Sequence, residues 1–388
     1  MTTSAIEPDQ IARAQSLAHG AVGTALLHIE RAHNGSGTWS SAHTALSLAT
    51  RGDLTSGTAA SLYYGAPAVA FALHAAAQGT GRYTRALNTL DVAVTALTRQ
   101  RLEAAHRRIE NEHRPHAAEF DIFYGLTGLG AHLLRRHGDG DVQREVLGYL
   151  VRLTHPLPGD PDRLPGWWSP AGPTHQGSTE FADGHGNFGM AHGITGPLAL
   201  LSLAALSGIT VAGQHEAVSR VLTWLDTWRQ DGEKGPWWPQ WITLAEHRTG
   251  RVRQAGPPPR PSWCYGTPGL ARAQQLAARA MGDTTRQRAA ERALLACLDD
   301  PAQLDRVTDG GLCHGAAGVL HTTHRVAHDA LTSGFAERLP RLRARVHDQP
   351  PAREKGFLDG TTGTALALDA DAAGGLPASG WDTCLLLG

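Results

Sequence analysis

Cys313 and His314 stand side by side in Gly-Leu-Cys-His-Gly-Ala-Ala-Gly, and a second cysteine, Cys264, lies upstream in Trp263-Cys264-Tyr265-Gly266. Two thiols and an imidazole are soft to borderline ligands. Three of them suit tetrahedral Zn²⁺ with the fourth position open, which is the arrangement of a catalytic rather than a structural zinc. Spacing alone says little, since 49 residues separate the two cysteines and no Cys-x-x-Cys knuckle is present. Cys297 and Cys384 read differently. Cys297 falls on an apolar helical run beside Leu294 and Leu298, and Cys384 lies in a short C-terminal stretch. Free cysteine is often buried as a small hydrophobe, so neither is expected to bind metal.

The elements that must position these ligands show as a repeat. Short Gly-x-x-Gly units, each followed by an Ala/Leu-rich run, begin at Gly20, Gly125, Gly193, Gly266, Gly315 and Gly360, and a seventh begins at Gly65 with Ala68 in the second place. Successive starts are 45, 60, 68, 73, 49 and 45 residues apart, enough for two helices and their connections. Glycines three apart at a helix start let backbones approach closely or admit a ligand to the helix N-terminus. Aligned on the first glycine, polar chemistry gathers just ahead of it. Cys264 and Cys313 sit two before, His19, His192, His314 and Asp359 one before, and Asp121 four before. If the seven helices line a closed ring, these side chains converge at one end of it.

Between the units, Leu87, Leu90, Val94 and Leu97, and again Val218, Val221, Leu222 and Leu225, follow the spacing of a helix with one buried stripe. These are expected to be outer helices. Alternating strand patterns are scarce, so the expected class is all-α: a single domain over residues 1–388, built as an α/α toroid of inner and outer helices. Two Pro/Trp-rich insertions interrupt it, at about 156–177 with Trp167 and Trp168, and at about 232–261 with Trp237, Trp238 and Trp241. Both read as long loops, whose aromatic residues either wall an extended peptide or pack down over the ring.

Composition agrees with a globular enzyme. With 41% hydrophobic residues in 388, the chain can bury a large core. A formal charge of −1 without dense Lys/Arg blocks gives no electrostatic reason for nucleic-acid or anionic-membrane binding. The longest apolar stretch, around 198–206, is far short of the ~20 residues of a spanning helix, and residues 1–10 lack a basic start and apolar core of a signal sequence. A cytoplasmic protein with no membrane insertion and with free thiols is therefore expected.

The motifs Trp263-Cys264-Tyr265-Gly266, Cys313-His314-Gly315, Ala191-His192-Gly193-Ile194-Thr195-Gly196 and Phe357-Leu358-Asp359-Gly360-Thr361-Thr362-Gly363 resemble, in order, the signatures of the lanthionine synthetase C-like proteins, from about Gly20 to Leu368. The resemblance implies a toroid of seven inner and seven outer helices, with Zn²⁺ held by Cys264, Cys313 and His314. It implies a reaction in which a cysteine thiol of a dehydrated precursor peptide, carrying a leader segment, adds to dehydroalanine or dehydrobutyrine to close a thioether ring. It makes His192 the acid/base group, Asp121 the carboxylate that fixes its tautomer, Arg260 a cation near the developing enolate, and Tyr265 a further hydrogen-bonding group. Ahead of the first repeat there is no region of dehydratase type, so a separate dehydratase is expected.

Each assignment has a plainer reading. Asp121 suits a helix N-cap, Arg260 a loop cation, and His192 a loop-packing role. His19 and Asp359 are expected to cap helices, and His185 in Asp183-Gly184-His185-Gly186-Asn187 is left unassigned. Three other functions compete. One is addition of glutathione or another small thiol to dehydroamino acids. A second is a glycosidase or terpene cyclase on the same fold, which a mouth of Cys and His rather than paired carboxylates disfavours. A third is a non-catalytic zinc-containing scaffold for a biosynthetic complex.

Overall fold

The computed structural model describes residues 12–173, 179–253 and 258–388. Seven inner helices follow the seven glycine units: α1 (Ala21–His33), α3 (Ala66–Ala77), α5 (Leu126–His137), α7 (Thr195–Leu206), α9 (Thr267–Met281), α11 (Ala316–Asp329) and α13 (Thr361–Ala372). Each touches the next and α13 touches α1, so the ring closes. Six outer helices alternate with them: α2 (Trp39–Ala49), α4 (Thr84–Glu110), α6 (Asp141–Leu153), α8 (Gln214–Thr227), α10 (Thr284–Leu298) and α12 (Phe335–Asp348). Residues 12–14, at the start of the described chain, are also helical. The apolar stripes at Leu87–Leu97 and Val218–Leu225 lie on α4 and α8, both outer, as their one-sided pattern requires. Inner helices α3 and α7 are instead apolar nearly all round, because each meets inner neighbours on two sides and an outer helix behind.

The reason for the paired glycines is close backbone approach. A side chain at the second glycine would stand 2.0 Å from a loop carbonyl at Gly128, Gly269 and Gly318, and 1.9 Å at Gly363. At those units the helix thus starts pressed against the loop that leads into it. The N–H groups of these same glycines bond carbonyls seven residues back, at Asp121, Ser262, Gly311 and Gly356. The loops also clasp one another around the ring. Leu17 donates to Tyr63, Phe357 to Ala18, Cys313 to Leu358, Cys264 to Cys313, Met190 to Cys264, and Ile122 to Ala191, all through the backbone. At the remaining junction Tyr63 stacks on Phe123, and Arg101 of α4 donates to the carbonyls of Thr58, Ala60 and Tyr124.

The C-terminal stretch is not a surface tail. Trp381, Asp382, Cys384 and Leu385–Leu387 are at most 1% exposed. Tyr63 Oη donates to the Cys384 carbonyl (3.0 Å), Trp263 Nε1 to that of Leu385 (2.9 Å) and Arg272 Nε to that of Leu387 (2.7 Å). Donors from separate repeats converging on one segment place it across the bore of the ring, which it plugs.

The two insertions differ from one another, and only the second departs from the expected loop. The described part of 156–177 forms no regular helix or strand, while 174–177 lies outside the described residues. The second insertion, apart from 254–257, which is likewise outside them, is an ordered flap rather than a loop. It holds β3 (Pro236–Trp237), paired with β2 (Gln230–Asp231), and β4 (Trp241–Thr243), paired antiparallel with β1 (His185–Asn187), followed by a helical turn over Leu244–Thr249. That turn starts with a capping box, Thr243 to Glu246, legible in the sequence as Thr-x-x-Glu and overlooked beside the prolines. The tryptophans divide: Trp167, Trp168 and Trp238 are buried, whereas Trp237 and Trp241 are half-exposed. No helix among the described residues is long and apolar enough to cross a membrane.

Candidate metal centre

Two loops, those leading into α9 and α11, bring Cys264, Cys313 and His314 together. One donor atom from each lies within 4.8 Å of the others. The Cys264 N–H donates to the Cys313 carbonyl (3.1 Å), so the two loops are tied at the ligands themselves. Cys264 is buried, and Cys313 and His314 are half-buried and face the open end. A hydrogen bond from Cys313 holds the Cys264 thiol well below its ordinary range against the opposing effect of burial, with help from His314 and Ser262. The same bond, with burial, holds Cys313 well above. The two sulfurs are thus hydrogen-bonded to each other, a contact that one cation would replace. Two sulfurs and one imidazole nitrogen at this mutual distance fit Zn²⁺ with one coordination position left for substrate.

His314 is flanked by carboxylates on both ring nitrogens, Asp359 Oδ1 3.6 Å from Nδ1 and Asp309 Oδ2 3.7 Å from Nε2. Its hydrogen bond with Cys264 raises its pKa, burial opposes this, and the two carboxylates add to the rise. Asp359 thus departs from expectation: it does not cap α13. The cap position is Gly360, without a side-chain bond, and likewise Gly20 rather than His19 begins α1. The physical reason is the tight loop, whose backbone folds back onto the helix start and leaves the side chain ahead of the glycine pointing elsewhere.

The loop into α7 abuts the ligands, since Met190 N–H donates to the Cys264 carbonyl (2.9 Å). It carries His192, whose Nδ1 lies 2.6 Å from Asp121 Oδ2. Asp121, 1% exposed, bonds in two directions, although the cap position of α5 is Gly125, without a side-chain bond. Oδ1 accepts from the N–H groups of Tyr124 (2.6 Å) and Gly125 (2.8 Å) at the start of α5, and Oδ2 takes the histidine. The His192 side chain is 37% exposed and stacks on Phe123, ring centroids 4.9 Å apart, with Tyr124 beyond. Nδ1 faces the carboxylate, so Nε2 is the nitrogen offered to the mouth. Phe123 and Tyr124, which set this ring's plane, were not singled out from the sequence; their place directly after Asp121 was the available signal.

Arg260 is half-buried, and its charge bears on the Cys313 thiol. Tyr265 Oη accepts from Asn187 Nδ2 (3.0 Å) and burial raises its pKa, so the phenol is a neutral donor beside the ligands. Its ring meets the edge of Trp241. His185 is buried, bonded through Nδ1 to the Ala171 carbonyl (2.7 Å). Cys297 and Cys384 stand apart. Burial pushes the first up to about 12 and the second higher still, and Cys297 donates to Gln303 and Cys384 to the Trp381 carbonyl.

Residues 12–386 match the family described as lanthionine synthetase C-like protein. A curated relative, the nisin biosynthesis protein NisC of Lactococcus lactis subsp. lactis, is 22% identical over 328 residues, covering 83% of this chain and 75% of its own. Among solved structures, nisin cyclase superposes with a TM-score of 0.83 at 20% identity, over 97% of this chain and 93% of the other. That likeness establishes the toroid.

Proposed function

The chain belongs to the lanthionine synthetase C-like family, and from that premise we propose that it is a zinc-dependent lanthipeptide cyclase acting on a dehydrated precursor peptide. The observation that carries the reading is the cluster of Cys264, Cys313 and His314 with the His192–Asp121 pair on the adjoining loop. Zn²⁺ held by those three residues would supply a Lewis acid that lowers the pKa of a substrate cysteine, ~8.5 when free, so that it reacts as thiolate at neutral pH. The sulfur forms its bond to the β-carbon of dehydroalanine or dehydrobutyrine, and the π electrons move to the α-carbon and its carbonyl as an enolate.

The proton that the substrate thiol gives up passes to Nε2 of His192, which then delivers it to the α-carbon. Asp121 keeps the proton on Nδ1 and so fixes which nitrogen faces the substrate. Asp121 is itself immobilised by two backbone N–H groups, and Phe123 fixes the ring plane. Arg260 supplies positive charge and Tyr265 a neutral hydroxyl on the side where enolate charge develops. The dehydroamino acids have to be made before they can be attacked, so the proposal includes a separate dehydratase as partner and the leader-bearing peptide as substrate.

Elemental analysis of wild type and Cys313→Ala, each prepared without added metal, tests the reading. One zinc per chain in the wild type, lost in the variant together with thioether formation on a synthetic peptide containing dehydroalanine and cysteine, is the expected outcome. A folded wild type without zinc would sink the proposal.

A further inference from the structure

The flap of the second insertion encloses a cleft of about 670 Å³, within the ~300–1,000 Å³ range of ligand sites. Its wall is made by Trp237, Trp241, Pro239 and Phe181, with Arg253 and Arg306 at the rim. Three observations bear on what it holds. It adjoins the candidate metal centre: the Trp241 ring packs at a right angle to that of Tyr265, the residue after Cys264, with centroids 5.8 Å apart. The Gln240 carbonyl accepts from Phe188 N–H (3.0 Å), which ties the cleft to the loop that carries His192.

Second, the indoles of Trp237 and Trp241 are half-exposed, whereas Trp167, Trp168 and Trp238 pack away. Half-exposed indoles beside proline and phenylalanine form an apolar wall, with the Phe181 ring set edge-on to Trp241.

Third, the cleft offers donors in excess. Glu246, although it lines the cleft, is used up by Thr243 and the Arg253 N–H, and Glu180 is engaged within the protein. The Arg253 guanidinium and both indole N–H groups meet no acceptor among the described residues, and Arg306 bonds only the Pro258 carbonyl.

We propose that this cleft binds the segment of the substrate peptide flanking the reacting residues, taking an apolar side chain against Trp237 and Trp241 and an adjacent carboxylate on Arg253 and Arg306. The proposal rests on the peptide-cyclase reading and adds a sequence preference to it. Aromatic walls supply burial and orientation, and guanidinium groups supply bidentate recognition of carboxylate. The short path through Trp241 to Tyr265 sets the register between the bound segment and the thiol.

The test uses the zinc-loaded full chain and synthetic peptides in which dehydroalanine and cysteine are flanked by Phe-Glu, by Ala-Gln or by Phe-Lys. The wild type is expected to show a KM about tenfold lower for Phe-Glu than for Ala-Gln, with kcat little different. Trp237→Ala should erase that preference, and the double charge reversal Arg253→Glu with Arg306→Glu should transfer it to Phe-Lys, a rescue that a misfolded flap cannot produce. Cyclisation of all three peptides with one KM, or a Phe-Glu preference that survives both variants, would overturn the cleft while leaving the cyclase reading intact. Failure of the zinc-loaded wild type to cyclise any of them would overturn both.

Discussion

Two histidine–aspartate pairs of nearly identical length lie in different parts of this ring. His192 and Asp121 meet at 2.6 Å at the open end, and His321 and Asp382 at 2.7 Å in the plugged bore. At the open end the histidine gives Nδ1 to the carboxylate, leaves Nε2 toward the mouth and is 37% exposed. In the bore the contact is through Nε2, Nδ1 meets no partner among the described residues, and both side chains are 0% exposed. Arg325 shares the second carboxylate, and Trp381 covers the second imidazole. In the proposed mechanism the same two side chains thus serve proton transfer where one nitrogen is open to the mouth, and cohesion where neither is. Geometry within the pair does not distinguish them; surroundings do.

The sharpest way to break this contrast is to remove each histidine's contribution in turn. His192→Ala should cut thioether formation by about 10²–10⁴-fold, the range for loss of a general acid or base, while the urea midpoint stays close to wild type. A matching loss of stability would show the open pair to be structural after all. Asp382→Asn should do the reverse. It strands the Arg325 guanidinium in the interior without its counter-charge, at a cost of about 3–5 kcal/mol in urea unfolding, and whatever protein remains folded should keep its zinc.

Asp121→Asn sharpens the comparison further, with a smaller effect. An asparagine oxygen can still accept from the Tyr124 and Gly125 N–H groups, but its amide donates where the carboxylate accepted, which forces the proton onto the wrong histidine nitrogen. Turnover should fall about 10–100-fold with the melting temperature nearly unchanged.

Acid should reach the bore only at low pH. Burial pushes the Asp382 carboxyl up, but Arg325 and His321 outweigh it and hold the group well below the usual carboxylate range. Its contribution is present above the unfolded value of ~3.9 and is lost as pH falls toward the folded one. His132 acts earlier. It is buried without a hydrogen-bond partner among the described residues, and burial lowers its pKa to about 3. The unfolded chain therefore binds a proton below ~6.5 that the folded one refuses, and stability falls as pH drops through that window, by at most about 1.4 kcal/mol per pH unit. His132→Leu should flatten the decline in melting temperature between pH 7 and 5. An unchanged slope would place the acid sensitivity elsewhere.

The glycine units were legible because helix starts pass their own loops at contact distance, where only glycine fits; Gly128, Gly269, Gly318 and Gly363 show it in carbonyls 2.0 Å or less from where a side chain would begin, while Ala68 stands at the corresponding place of the second unit. The stripes of α4 and α8 were legible because an outer helix buries one face only. The convergence of Cys264, Cys313, His314 and His192 was legible because repetition puts equivalent positions at the same end of a ring. Less visible were the flap and the plug. Pro/Trp-rich sequence hides a capping box, and a C-terminal stretch of ordinary composition gives no sign that Tyr63, Trp263 and Arg272 converge on its carbonyls.

The sequence by itself therefore determined the architecture and the donor set, both of which follow from local periodicity and residue type. Only the tertiary structure decided which carboxylate serves which histidine, that Asp121 holds both the turn ahead of α5 and His192, and that Asp359 sits beside His314 instead of capping its helix. It also decided which tryptophans stay open to a ligand. Those outcomes depend on contacts between residues tens to hundreds of positions apart, set by how the ring closes, and no local pattern carries that information.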